Sequence, residues 1–334
     1  LTKEGEMIHP QEIADDLIWH LDEFHSLPEI WDNELDAQIH RWYAEAPTVY
    51  PKRPYFSPSS ANACPKHLYY KQLRTPKDNE RKQPHQTRWA AIGTRIGDMM
   101  QREILSMERN FEDNTGISPR FRFLRTKNGE PAFEEFIKLN RKVNHKGRTF
   151  YLFGTSDGIM EYRTPDGEKL RVGLELKSKQ TTSARTSLYS MREPQEDHVK
   201  QCVAYSEMYK VDYFVILYVN ASKKAWDYSE EDYEKTPDIR AFGIYVTDED
   251  REELFDRFVG ILDAVDRREP PKLDVNGWSF NPYKSTIAQE ITEEEIKELR
   301  KEQLRVENSS LPKFVKRQYS EVLEYLDHSR EAIY

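Results

Sequence analysis

An α/β (α+β) fold is predicted from this sequence, with a central mixed β-sheet flanked by helices and helical extensions at both ends. Three observations predict it. Apolar residues recur at helical spacing toward both ends of the chain. Between residues 121 and 177 the pattern changes to strand-like alternation punctuated by turn residues. A continuous apolar run from Tyr213 to Val219 lies between two helical patterns and reads as a buried strand.

The elements follow in order. Ile13, Leu17, Leu21 and Phe24 share one face of a predicted helix over 10–25. Ile30, Leu35, Ile39 and Trp42 do the same over 28–44. Four prolines between 46 and 58 predict an extended connector. Ser59 or Ser60 is placed to cap a short helix through Leu73. Residues 75–85 are polar and predict a loop, and a long helix follows over 87–107. Strands are expected over 121–124, 133–143 and 149–162. The turn Pro165-Asp166-Gly167 leads into a partner strand over 170–177. A helix over 193–209, the strand over 213–219, a strand over 242–246 and a helix over 248–267 complete the core. Pro270-Pro271 ends that helix, and two more are expected over 291–306 and 313–332. Three segments result: an acidic helical N-terminal arm over 1–56, a core over 57–268 and a C-terminal helical extension over 269–334.

Composition excludes several classes. The 334 residues are 37% hydrophobic with 19 Tyr and 15 Phe, which is enough apolar area for a core. No run of about 18 apolar residues exists, so no spanning helix and no membrane partner is expected. No basic start followed by an apolar stretch opens the sequence, so no secretory signal is expected. Cys64 and Cys202 are the two cysteines, which excludes a disulfide framework and predicts a reducing cytosol. Four-cysteine zinc or iron–sulfur sites cannot be built from this chain alone. There is no phosphate-binding GxxxxGK[ST] loop, so no ATP-driven motor is implied. The nine histidines form no HExxH pattern; His198 is expected at the surface rather than as a ligand.

The net charge is −9, but it is segregated. Residues 1–50 hold twelve acids and two bases, Lys3 and Arg41; residues 221–260 hold twelve acids and six bases. Residues 66–95 carry eight Lys/Arg against two acids, and 117–150 carry nine against three. Each central stretch is able to attract phosphate. An unevenly composed solvated surface is the ordinary alternative.

Three features stand in order: Gly154-Thr155-Ser156-Asp157-Gly158, then Leu174-Glu175-Leu176-Lys177, then Gln201-Cys202-Val203-Ala204-Tyr205. A strand period of two puts Glu175 and Lys177 on one face and Leu174 and Leu176 on the other. An acid and a base inside an apolar strand are costly to bury unless they are used or paired. A hairpin through Asp166-Gly167 brings Asp157 beside Glu175. Two adjacent carboxylates repel, and a hard divalent cation relieves that repulsion. Asp157, Glu175 and the carbonyl of Leu176 supply three oxygens of the kind Mg²⁺ takes, with water completing its shell. Lys177 would then orient or deprotonate a metal-bound water for in-line attack on phosphorus. Gln201 and Tyr205, one helical turn apart, would hold Lys177 or a nucleic-acid backbone. The ordinary alternatives are a surface ion pair for Glu175 and Lys177, a bulge at Asp157-Gly158, and helix surface packing for Gln201 and Tyr205.

These motifs resemble the PD-(D/E)XK nuclease superfamily, and within it the RecB-type exonucleases of phage and CRISPR-adaptation systems. That branch carries GxxD, then ExK, then QxxxY, matched here by Gly154–Asp157, Glu175–Lys177 and Gln201–Tyr205. Its serine-rich lead into Cys-Pro and a Tyr-Tyr pair is matched by Ser57-Pro58-Ser59-Ser60, Cys64-Pro65 and Tyr69-Tyr70. The resemblance covers residues 57–220 and implies a restriction-endonuclease-like core. Two departures stand out. The family helix adds a His or Glu ligand where this chain has Gly97; Asp98, Gln101 and Glu103 are the neighbouring substitutes. Iron–sulfur members pair a cysteine like Cys64 with three near the C terminus. The region from Pro271 to Tyr283 has none. No cluster is therefore expected. Cys64 should act as a buried hydrophobe, and packing by Trp278, Phe280 and Tyr283 should replace the clasp.

The expected function is that of an ATP-independent DNA exonuclease processing ends in recombination, repair or phage DNA metabolism, using one or two Mg²⁺ or Mn²⁺ ions. Asp157, Glu175, Lys177, Gln201 and Tyr205 form the expected catalytic set. Arg95, Arg185, Tyr69 and Tyr70 are the expected DNA contacts, with core packing as the alternative for the two tyrosines. The acidic N-terminal helices are expected either to bind a protein partner or to fence the DNA path by repulsion, and the expected location is the cytoplasm or nucleoid. The competing readings are a non-catalytic nucleic-acid-binding or interaction protein on a nuclease fold, supported by Gly97, and a structure-specific endonuclease.

Overall fold

The computed structural model describes residues 7–79 and 81–331. The first six residues of the expected arm and residues 332–334 of the expected extension lie outside the described residues. In chain order the first elements are α1 (Pro10–His25), α2 (Asn33–Ala44), β1 (Tyr55–Phe56), α3 (Pro65–Gln72), α4 (Pro84–Thr115) and β2 (Phe121–Phe123). There follow β3 (Leu139–His145), β4 (Arg148–Gly154), β5 (Gly158–Arg163), β6 (Lys169–Lys179), α5 (Glu196–Tyr209) and β7 (Tyr213–Asn220). The rest are α6 (Glu230–Lys235), β8 (Ile239–Tyr245), α7 (Asp248–Arg267), α8 (Lys284–Glu290), α9 (Glu293–Glu307) and α10 (Lys313–Glu331). The predicted mixed α/β class is present: two mixed β-sheets accompanied by helices.

The chain divides into two compact units. One comprises the described residues up to 61 together with 82–143 and 149–254. The other comprises 62–81, 144–148 and the described residues from 255 on. This division differs from the three expected segments.

In the first unit a five-stranded sheet runs in the order β2-β5-β6-β7-β8. Only β6 and β7 are parallel, and α5 supplies the crossover between them that a parallel pair needs. Val172 and Leu174 of β6 and Val215, Leu217 and Val219 of β7 point into one core, which α1, α2 and α4 cover. The opposite parity, Glu175 and Lys177, points toward α5, since Lys177 reaches Gln201. β7 is buried over nearly its whole length, which is why its sequence is continuously apolar.

α1 is a layer of this core rather than a free arm. His9 caps it and Pro10 opens it. Its stripe of Ile13, Leu17, Leu21 and Phe24 is buried in the shared cluster. β8 receives α1 at Gly243, where any Cβ would lie 1.8 Å from the Pro10 carbonyl oxygen. A smaller sheet has the order β1-β4-β3. Lys146 and Gly147, both at positive φ, turn β3 into β4 in the manner of a two-residue hairpin.

Four element expectations are corrected. The strand expected over 149–162 is two strands in different sheets, β4 and β5, because residues 155–157 leave the pairing. The helix after Pro58 starts at Pro65 with Cys64 as its N-cap, because Pro at the first position sets the start; residues Pro58–Ser60 form a separate 3₁₀ turn. The strand expected from 133 starts only at Leu139, because Glu134 sits at φ +43° and opens a 3₁₀ turn. The short helices α6 and α8 were not predicted; neither carries enough turns to display an apolar stripe.

In the second unit α3 packs into a core with Leu273, Trp278, Tyr283, Ile287, Leu299, Val322 and Leu326. Lys66 is 2% exposed, and its ammonium donates to both oxygens of Glu295, at 2.9 and 2.7 Å. Cys64 is buried as expected of a small hydrophobe. Trp278 and Tyr283 are buried with it, but Phe280 is 91% exposed and takes no part in that packing.

Candidate active site

The loop Gly154-Thr155-Ser156-Asp157 carries the chain from β4 into β5. Ser156 is fully buried and its hydroxyl donates to the Leu174 carbonyl at 3.1 Å, which pins the loop to β6. Gly158 pairs with Leu174, so Asp157 falls opposite Glu175. Gly158 has to be glycine: a Cβ there would come within 2.5 Å of the Phe123 ring. The Asp157 carboxylate accepts the Leu176 backbone N–H at 2.7 Å through Oδ2.

Glu175 is 1% exposed. One of its oxygens pairs with the Lys177 ammonium; the other, Oε2, is buried without a hydrogen-bond partner. Lys177 also donates to Gln201 Oε1 at 3.0 Å, and Gln201 Nε2 lies 3.2 Å from the Tyr205 hydroxyl. Asp157, Glu175, Lys177, Gln201 and Tyr205 therefore stand in one connected group. The arrangement of Glu175 is not that of a surface ion pair.

Burial pushes the Glu175 carboxyl up, and the Asp157 charge adds to this, so it titrates near 8. Asp157 is also pushed up by burial, against the Leu176 N–H and Lys177. Burial opposes the charge of Lys177 too, but Glu175 and then Asp157 outweigh it and its net shift is upward. Two carboxylates face one ammonium, so one proton stays on the carboxylate pair at neutral pH unless another cation enters. Tyr205 is held neutral by burial and then by the same two carboxylates.

α4 closes the other side. Gln101, 1% exposed, donates to the Asp157 carbonyl at 2.8 Å, while its Oε1 has no partner. Of the three residues proposed to substitute at Gly97, Gln101 is thus the one tied to Asp157. Glu103 pairs with His25 instead, at 3.4 Å, and Asp98 pairs with Arg95. Nothing lies within 4 Å of where a Cβ of Gly97 would be.

Sequence reasoning missed Glu134. Burial pushes its carboxyl up, then the charges of Asp157 and Asp98 do, and Tyr43 donates to it at 3.4 Å. No sequence signal marks it, since its place depends on a left-handed turn after Phe133. His198 is also revised: it is half-buried and its Nδ1 lies 2.8 Å from the Tyr218 hydroxyl.

The expected DNA contacts separate. Arg95 is 79% exposed and Arg185 bonds Thr181 Oγ1 at 3.0 Å. Tyr69 and Tyr70 are 4% and 1% exposed in the core of the second unit, and Tyr70 donates to Glu290 at 2.8 Å. No base has a free ring face to stack on there, so that expectation is corrected to core packing. The basic stretch over 117–150 is corrected as well. Arg120, Arg122, Arg125, Lys138, Arg141, Lys146 and Arg148 are all paired with carboxylates. Its formal excess is largely neutralised in the fold.

No protein-family profile and no curated protein sequence matches the chain. Solved structures resemble it at low similarity. An alkaline exonuclease from Laribacter hongkongensis has 10% identity and a TM-score of 0.37, over 69% of this chain and 94% of that one. A phage-related exonuclease from Haemophilus somnus 129PT has 12% identity and a TM-score of 0.33, over 62% and 81%. The protein SSO0001 has 12% identity and a TM-score of 0.35, over 74% and 87%. Likeness at this level transfers no residue role.

The oxygen donors are of the type a hard cation takes. Glu175 Oε2 is buried and unpartnered, and the carboxylate pair is short of positive charge. Among the described residues no three His, Cys, Asp or Glu side chains converge as a ready metal cage. An ion here would rest on two carboxylates, a backbone carbonyl and water, as Mg²⁺ commonly does. No helix among the described residues is long and apolar enough to cross a membrane.

Proposed function

We propose that this chain is a metal-dependent nuclease of the PD-(D/E)XK type, in its RecB-like exonuclease branch, which hydrolyses phosphodiester bonds at DNA ends. One observation carries the reading. The Asp157 carboxylate, on the loop entering β5, faces the buried Glu175 of β6 beside a single lysine, and one Glu175 oxygen has no partner. Desolvated carboxylates set against a specific charged neighbour cluster at functional sites.

In this reading Asp157, Glu175 and the Leu176 carbonyl hold Mg²⁺ or Mn²⁺. An ion held there would supply Lewis-acid polarisation of the phosphoryl group and would make water easier to deprotonate. Lys177, fixed as an ammonium between Glu175 and Gln201, orients the attacking water. Gln201 is in turn held by Tyr205. Gln101 fixes the Asp157 backbone, and so fixes where that carboxylate points.

The test is digestion of linear and closed circular DNA with Mg²⁺ or Mn²⁺. Glu175→Ala and Lys177→Ala should each lower the rate about 100-fold or more, and chelation should abolish it. Equal activity in both variants overturns the mechanism. Cutting of closed circles assigns an endonuclease. Absence of cutting with intact, strongly salt-dependent binding assigns a non-catalytic binder, the reading favoured by the missing side chain at Gly97.

A further inference from the structure

Beyond Lys177, β6 runs on into a pocket of about 320 Å³ lined by residues including Trp89, Lys179, Gln180, Arg185, Glu193 and Gln195. All of them belong to the first unit. The volume is in the range of small-molecule sites. Lys179 lies two residues past Lys177 on the same strand face, about 7 Å farther along. That spacing is close to one nucleotide of an extended strand.

Two features of the lining point to a ligand. The first is charge. The Lys179 ammonium donates to the neutral Gln195 Oε1 at 3.0 Å and lies over the Tyr218 ring. Arg185 donates to Thr181. Among the described residues neither cation stands within ion-pair distance of a carboxylate, although Glu193 lines the same pocket. Lys179 is held below the usual lysine range by burial and then by the charges of Arg185 and Lys177. In the basic stretch over 117–150, by contrast, seven of the nine Lys/Arg are paired with carboxylates.

The second feature is Trp89, 49% exposed on the overhanging first turns of α4. The overhang is tied down at this point: Gln180 Nε2 donates to the Trp89 carbonyl at 3.2 Å. Gly93 permits the approach, since a Cβ there would already crowd Ser178 Oγ at 3.1 Å. The fold thus holds a large indole at the rim of a cationic pocket. Just outside, Tyr189 is 82% exposed with the Arg192 guanidinium 5.3 Å over its ring.

We propose that this pocket is a nucleotide subsite, in which Lys179 and Arg185 hold a phosphate and the Trp89 indole stacks on the attached base. Aromatic stacking beside a basic groove is how single strands are held without sequence preference. The inference rests on reading the neighbouring carboxylates as a nuclease centre, and its test is independent of cutting.

A short fluorescein-labelled oligothymidylate is titrated with protein in EDTA, and anisotropy is followed at several salt concentrations. Trp89→Ala should weaken binding about tenfold, and Trp89→Phe should restore most of it. The double variant Lys179→Gln/Arg185→Gln should reduce the salt slope by about 1.4, the value for two phosphate contacts on a single strand. Thermal melting verifies folding; because Trp89 is a rim residue, the charge variant decides if Trp89→Ala fails to fold. Competition by thymidine monophosphate assigns the subsite to free nucleotide as well as strand, and lack of competition assigns it to strand alone. Unchanged affinity and slope in both pocket variants, or no binding of wild type at low salt, overturns the subsite. Cutting that persists with normal binding by the pocket variants removes the subsite and leaves the nuclease. Binding with no cutting does the reverse.

Discussion

At position 175 a carboxyl group is kept protonated to about pH 8 by burial and by Asp157. The unfolded chain releases that proton near 4.5. Between these values the folded state binds the extra proton, so the contribution of Glu175 to stability falls as pH rises and levels off above about 8. Millimolar Mg²⁺ at pH 8 should raise the melting temperature of the wild type by neutralising the pair. Glu175→Gln should lack both the decline between about pH 4.5 and 8 and most of the metal effect. His198 works in the opposite direction. Burial, then Lys177 and Lys179, hold its imidazole down to about 3. The unfolded chain takes up this proton near 6.5, so stability is lost as pH falls below that value. Melting curves of His198→Gln should show a smaller acid decline than those of wild type. Gly97 is simpler. It is a mid-helix glycine with open space around its Cβ position, so Gly97→Ala should stabilise the fold by about 0.5–1 kcal/mol in chemical denaturation.

Among the elements, α1 and β8 make the sharpest contrast with that glycine. A methyl group at Gly243 would sit inside the Pro10 carbonyl, so Gly243→Ala must push α1 off the sheet. A loss of about 3 kcal/mol is expected, with release of the Leu17 and Leu21 stripe. The 3.6-residue stripe of α1 and the apolar run of β7 were legible because burial alone dictates them. The facing of Glu175 and Lys177 was legible for the same reason: a strand has a period of two. Glu134 was not, because its position depends on one left-handed residue and on contacts with chain segments far off in sequence. Nor was the pairing of Arg120 with Asp16, or of Arg141 with Glu207. A one-dimensional charge count registers sign and number, and the fold decides which charges cancel. Tyr69 and Tyr70 matched a motif, but their packing partners lie some 200 residues later.

For the whole molecule, charge pairing limits where a polyanion is able to bind: most bases of 117–150 are answered by carboxylates, whereas among the described residues Lys179 and Arg185 beyond Lys177 are not within ion-pair distance of one. Pairing also reaches into the interior of the second unit. Lys66 is 2% exposed and its charge is answered by Glu295, which also accepts the Leu273 N–H at 2.7 Å. Glu295→Gln should cost about 3–5 kcal/mol by urea unfolding, since it strands a buried ammonium. Lys66→Met on that background should recover most of the loss. The second unit is assembled from a segment near residue 70 and helices beyond residue 280, with the whole sheet threaded between them. On the ribosome, then, α3 emerges long before its partners exist. Tyr69 and Tyr70 must wait uncovered until Leu326 has been synthesised. That delay makes this short helix the stretch where a nascent chain would most need a chaperone.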